Sequence, residues 1–128
     1  MNPLTLEWIE KAEADFITAQ REMRARKNPN YDAACFHSQQ CVEKCMKAIL
    51  HNAAVPFPKT HNLTILLELL LPIDPTWELM RAKLARLSGL AVSIRYPGES
   101  ADKGAARESL QCCKEVRKKA RHFLELEG

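Results

Sequence analysis

Aromatic residues are scarce in this chain, at 6% of positions, which leaves few rings for a surface that stacks successive nucleic-acid bases. Long apolar runs are absent too. The longest, residues 69–73, is interrupted by Pro72 and preceded by Glu68, whereas a bilayer span needs about 20 apolar residues. No membrane association is expected. The N-terminal MNPLTLEWIEKAEADF carries acidic residues where a secretory signal would be apolar, so the expected location is cytoplasmic. Paired Cys-x-x-Cys spacing is missing from the five cysteines, Cys35, Cys41, Cys45, Cys112 and Cys113. They read as free thiols in a reducing compartment. No internal repeat, low-complexity tract or sustained period-two alternation is present. The net charge of +3 neither demands nor excludes a phosphate-bearing partner, so the clustering of the cations matters more than their sum.

The remaining composition, 46% hydrophobic and 27% charged over 128 residues, fits one globular domain, 1–128, that needs no disulfide. Helical periodicity fills it. Asn2-Pro3 reads as a cap followed by proline at the first helical position, and Leu4, Trp8, Ala12, Phe16, Ala19 and Met23 recur every three or four residues up to the basic Arg24, Arg26 and Lys27. Asn28-Pro29-Asn30 breaks that helix, and Asn30 can cap the next. Val55-Pro56-Phe57-Pro58 forces a loop, after which Thr60 or Asn62 can cap a short, apolar helix over 63–71. From Asp74-Pro75 a fourth helix sets Trp77, Met80, Leu84, Leu87, Ala91 and Ile94 on one seam. Tyr96-Pro97-Gly98 ends it, and a last helix buries Ala106, Leu110, Cys113, Val116, Ala120 and Phe123. The fold expected is all-α, an antiparallel up-and-down bundle of four long helices and one short one.

Residues 33–51, AACFHSQQCVEKCMKAILH, hold the centre of this scheme. Cys35, Val42, Met46 and Ile49 suit a buried side, while His37, Gln40, Lys44, Lys47 and His51 form a polar row that could wall a groove.

Four pieces, WIEKAEADFITAQ, YDAACFHSQQCVEKCMKAIL, Lys59-Thr60-His61-Asn62-Leu63 and Ile94-Arg95-Tyr96-Pro97, together resemble the HEPN domain family, in order and across nearly the whole chain. That resemblance implies an antiparallel bundle, usually a homodimer, often encoded beside a minimal nucleotidyltransferase with which it forms a two-component system. Some members are toxins that cleave RNA. Others bind nucleotides or serve as the non-catalytic subunit, so shared architecture alone does not transfer an activity.

The RNA-cleaving branch carries an Arg followed four to six residues later by His at the end of a long helix. Proton transfer near neutral pH and a cation for the phosphate charge explain that pair. Here Arg95 is followed by Tyr96-Pro97 and residues 99–102 are Glu-Ser-Ala-Asp, with no histidine. Arg117 and His122 match the spacing literally but lie in the last helix, where five residues separate their directions.

The reading favoured by the residues is therefore a nucleotide-binding or accessory partner of a minimal nucleotidyltransferase, in a toxin–antitoxin-like pair. Its candidate nucleotide site is His37, Gln40, Lys44 and Lys47 with Arg95 and Tyr96. No catalytic residue, metal or cofactor is expected. The alternative is a ribonuclease toxin with His37 or His122 moving protons. His61 reads as a capping or packing residue, and His37, Cys41 and Cys45 span too far along a helix for one tetrahedral metal. The basic row Lys114, Arg117, Lys118 and Arg121 reads as a solvated face, with an RNA-backbone track as its alternative.

Overall fold

The computed structural model describes residues 1–126. In order come α1 (Pro3–Arg24), α2 (Tyr31–Asn52), α3 (Leu63–Leu70), a 3-10 helix (Pro75–Met80), α4 (Arg81–Ser93) and α5 (Lys103–Phe123), and the described residues contain no strand. Short polar side chains set the starts. Asn2, Asn30, Asn62, Asp74 and Asp102 each accept a backbone N–H of the first turn, at 2.8, 2.9, 2.9, 3.0 and 2.8 Å, satisfying a donor the helix itself leaves open.

Side-chain contacts give the directions. Thr5 meets His51 while Asp15 meets His37 and Lys44, so α1 and α2 run antiparallel. Lys83 of α4 reaches Glu115 of α5, and Glu13 of α1 reaches Arg117. Asp32 and Cys35 at the start of α2 meet Ala101 and Ser109 at the start of α5, which makes those two parallel. The long helices therefore alternate in direction along the chain, and the all-α up-and-down bundle is found.

α2 lies at its centre, touching α1, α3, α4 and α5. Val42, Met46, Ile49 and Leu50 are buried against Leu63, Leu66, Leu67 and Leu70 of α3, Leu84 and Leu87 of α4, and Cys113 and Val116 of α5. No helix among the described residues is long and apolar enough to cross a membrane.

Three details differ from the periodic reading. Residues 75–80 wind as a 3-10 helix, whose three-residue turn brings Trp77 and Met80 to one side so that both are buried. In α1 the buried row is Thr5, Ile9, Ala12, Asp15 and Ala19, leaving Leu4 exposed. At the end of α5, Leu124 is buried and Phe123 is exposed.

α2 ends in a Schellman turn. Val55 N–H donates to Leu50 O at 2.9 Å and Ala54 N–H to His51 O at 3.1 Å, with Ala54 in the left-handed region at φ 57°.

Candidate functional site

The polar row of α2 is consumed largely by the fold. Asp15 of α1, itself buried, accepts from His37 Nδ1 at 2.8 Å and from Lys44 Nζ at 2.6 Å. One turn further, Glu43 accepts from Lys47 at 3.0 Å and from His61 Nδ1 at 2.9 Å. Gln39 adds a bond to Glu43 at 3.2 Å and one to His61 O at 3.0 Å, and Gln40 donates to Gln39 at 2.7 Å. Thr5 and His51 Nδ1 are 2.7 Å apart. Such groups tolerate burial because each finds a partner.

Lys47 therefore needs correction as a groove-lining residue. Its ammonium is enclosed between the rings of Trp8 and Phe57, 5.5 and 5.8 Å from their centroids, and beside Glu43, so its charge is answered internally. Gln40 likewise spends its amide on Gln39 and Glu43. Lys44 stays partly open and lines a shallow depression with Leu4, Glu7, Trp8 and Lys11. His61, expected to cap or pack, orients toward Glu43 with most of its ring exposed.

Arg95 and Tyr96 follow the last turn of α4 in an exposed turn closed by Gly98, at φ 89°. The Arg95 guanidinium stands 5.7 Å over the Phe36 ring, and Phe36 meets the ring of His37 edge-on at 5.2 Å. Arg95 thus approaches the polar row at its His37 end. Lys44 lies seven residues on, ~10 Å along the axis at 1.5 Å per residue. The contacts made by Arg95 join it to Phe36, not to Lys44 or Lys47.

Elsewhere the sequence pairs dissolve. Cys41 and Cys45 turn inward toward Cys113 while His37 turns to Asp15, which separates the three spaced residues. Hydrogen bonding to Cys41 and then burial push the Cys45 and Cys113 thiols well up. Among the described residues no three His, Cys, Asp or Glu side chains are placed to hold a metal. Arg117 faces α1 and forks onto Glu13, whereas His122 is exposed near the helix end. Asp15 and Phe36 were missed by sequence reasoning. Asp15 sits next to the apolar row of α1, and the three- or four-residue spacing that places it there was its one available signal.

The model of the HEPN domain family matches residues 5–123. A solved structure, that of an archaeal HEPN homologue, is similar over 92% of this chain and 95% of that one, with a TM-score of 0.71 at 22% identity. No curated protein matches. With the family matched along almost its whole length and a bundle of the same architecture, this chain belongs to the HEPN domain family.

Proposed function

We propose that this HEPN protein works as a subunit and not as a catalyst. In this reading it forms a homodimer that serves as the nucleotide-binding or accessory partner of a minimal nucleotidyltransferase in a two-component, toxin–antitoxin-like system. One observation carries it: the outer face of α4 and the turns flanking it has no cover. Leu79, Val92 and Tyr96 are 84, 56 and 63% exposed, and Ala82, Ala85 and Gly89 lie exposed between them. Steps of three and four put Ala82, Ala85, Gly89 and Val92 on one stripe of α4, with Leu79 just before the helix and Tyr96 just after it. Large apolar side chains aligned this way favour a partner surface over water, and the small residues let a second helix approach closely.

Arg95 and Tyr96 lie at one end of that stripe. Arg95 makes no ion pair among the described residues, so its fork of donors is available to a phosphate, and the Tyr96 ring is open beside it. His37 would add a donor at that edge, with Lys44 about 10 Å further along α2 and Gln40 and Lys47 engaged with Glu43 behind it.

The tests are a mass and a titration. Sedimentation at micromolar concentration is expected to give twice 14.5 kDa, falling to the single-chain mass in Gly89→Arg. A Cβ at Gly89 meets nothing within 4 Å, so a side chain can start there without disturbing the bundle while obstructing the face. Titration with ATP, alone and with the nucleotidyltransferase, is expected to release heat that Arg95→Ala removes. A monomeric wild type that yields no heat with either ligand sinks the proposal.

A second reading, an RNA-cleaving toxin, is favoured by His37. Its Nδ1 is held by Asp15, which leaves Nε2 for proton transfer on a partly exposed ring, with Arg95 across Phe36. Induced expression would then arrest growth and degrade RNA, and His37→Ala and Arg95→Ala would each abolish both effects. Intact RNA after induction removes it.

A further inference from the structure

Between the antiparallel α1 and α5 runs a cleft of about 250 Å³, on the flank that joins Arg24 to Arg107 and Lys114. Gln20 and Gln111 bring amide donors to it, and Met23 and Leu110 supply its apolar lining. Among the described residues no carboxylate lines it. Three other depressions of the molecule each take in at least one carboxylate: Glu108 and Glu115 in one, Glu22 in another and Glu7 in the third. Arg24, Arg107 and Lys114 are exposed and make no ion pair among the described residues. Three like charges are thus gathered at one concavity with no carboxylate of the described residues lining it.

The charge continues in two directions. Arg21 lines an adjoining depression that shares Gln20 and Arg24 and also takes in Glu22, and Lys118 stands exposed one turn beyond Lys114. Arg107 to Lys118 is eleven residues of helix, about 16 Å at 1.5 Å per residue. That length outreaches a single phosphate group. No aromatic side chain lines either depression, so recognition there would rest on anionic groups and not on stacked bases. The basic row expected on α5 is also redrawn. Arg117 and Arg121 belong to Glu13, and the cations left to a ligand are Arg107, Lys114 and Lys118, with Arg24 from α1.

We propose that the α1–α5 cleft binds a chain of linked phosphates, the chemistry shared by inorganic polyphosphate and the backbone of single-stranded nucleic acid, without reading bases. The site is independent of the Arg95 edge. Arginines supply forked donors to phosphate oxygens and lysine a mobile charge.

The test is fluorescence anisotropy of a short labelled oligothymidylate, with unlabelled tripolyphosphate and orthophosphate as competitors. Wild type is expected to bind with an affinity that falls steeply between about 50 and 200 mM salt, and Arg107→Gln/Lys114→Gln is expected to bind about tenfold more weakly, with a salt slope lower by about 1.4. Arg95→Ala should bind as wild type does, which separates this site from the one proposed above. Displacement by tripolyphosphate as well as by unlabelled oligonucleotide assigns free polyphosphate as a ligand; displacement by the oligonucleotide alone assigns nucleic acid. The affected side chains are exposed and unpaired, so thermal melting should be unchanged. No binding by wild type, equal binding by the double variant, or displacement by orthophosphate at the same phosphate concentration would overturn the proposal.

Discussion

Lys47 Nζ lies 3.0 Å from Glu43 Oε2, one turn earlier on α2, with only 7% and 4% of the two side chains exposed. The pair sits where an apolar contact between α1, α2 and the loop after α2 would otherwise be, with Trp8 and Phe57 over the ammonium. Removing either partner strands the other charge in a low-dielectric place, at a cost of about 3–5 kcal/mol, whereas replacing both with apolar groups is often neutral. Lys47→Ala and Glu43→Ala should therefore each shift urea unfolding strongly, and Glu43→Leu/Lys47→Met should be more stable than either single variant. Strictly additive losses would show that the pair is not coupled.

A second buried carboxylate ties α1 directly to α2. Asp15 holds His37 with one oxygen and Lys44 with the other, so Asp15→Asn leaves a weaker acceptor and an uncompensated ammonium. The expected loss is about 1–3 kcal/mol. A cycle of Asp15→Ala, Lys44→Ala and the double variant should show a coupling of about 1 kcal/mol, read from urea midpoints. A coupling near zero would mean that Lys44 finds water as good a partner.

These pairs explain how far the sequence could be read. Apolar residues every three or four positions, with Asn or Asp before a Pro or helix start, located the helices, because side chains leave water in one direction and caps act within one turn. The site was less legible. A row such as Gln40, Lys44 and Lys47 looks the same whether water or a buried carboxylate faces it; Glu43 stands four residues before Lys47, but its burial, and Asp15 as the partner of Lys44, come only once α1 and the His61 turn are folded against α2. Arg95 was placed correctly at a helix end, but its neighbour Phe36 depends on how α4 lies across α2. Long-range geometry of that kind has no period in the sequence.

Ala54 offers a gain in stability. It adopts φ 57°, a conformation that costs an L residue with a Cβ about 1–2 kcal/mol and glycine much less. Part of the relief is offset by the greater freedom glycine gives the unfolded chain. Ala54→Gly is expected to raise stability by roughly 0.5–1 kcal/mol, seen as a higher melting temperature. A lower one would mean that chain entropy outweighs the turn.

Four buried thiols, Cys35, Cys45, Cys112 and Cys113, make stability fall in alkali. Burial, with the Glu115 charge adding to it, pushes Cys112 up to about 11, against about 8.5 for an unconstrained cysteine. Between those values the unfolded chain has lost a proton that the native state still binds, so native stability is complete below about pH 8.5 and is lost as pH rises through about 11. Cys45 and Cys113 shift the same way. Urea midpoints should decline across this window, and Cys112→Ala should flatten the decline by up to about 1.4 kcal/mol per pH unit. Identical slopes in the two proteins would show that Cys112 ionises as easily folded as unfolded.

Arg117 joins α5 to α1 through geometry as much as charge. Its Nε and Nη2 meet the two oxygens of Glu13 at 2.6 and 3.1 Å, and its Cζ lies over the Phe16 ring, 4.6 Å from the centre. Hydrogen bonding to Glu13 accordingly raises its pKa. Lysine keeps the charge but has neither the fork nor the flat face that stacks on a ring. Arg117→Ala should cost about 1–3 kcal/mol, the range for a hydrogen bond to a charged group left unmade, and Arg117→Lys should recover less than half of it. If charge alone held the helices together, lysine would restore the wild-type midpoint, and added salt would weaken both proteins equally. With the fork and stack in place, salt should move the lysine variant further, because a partly exposed point charge is screened more than a bidentate pair seated on an aromatic face.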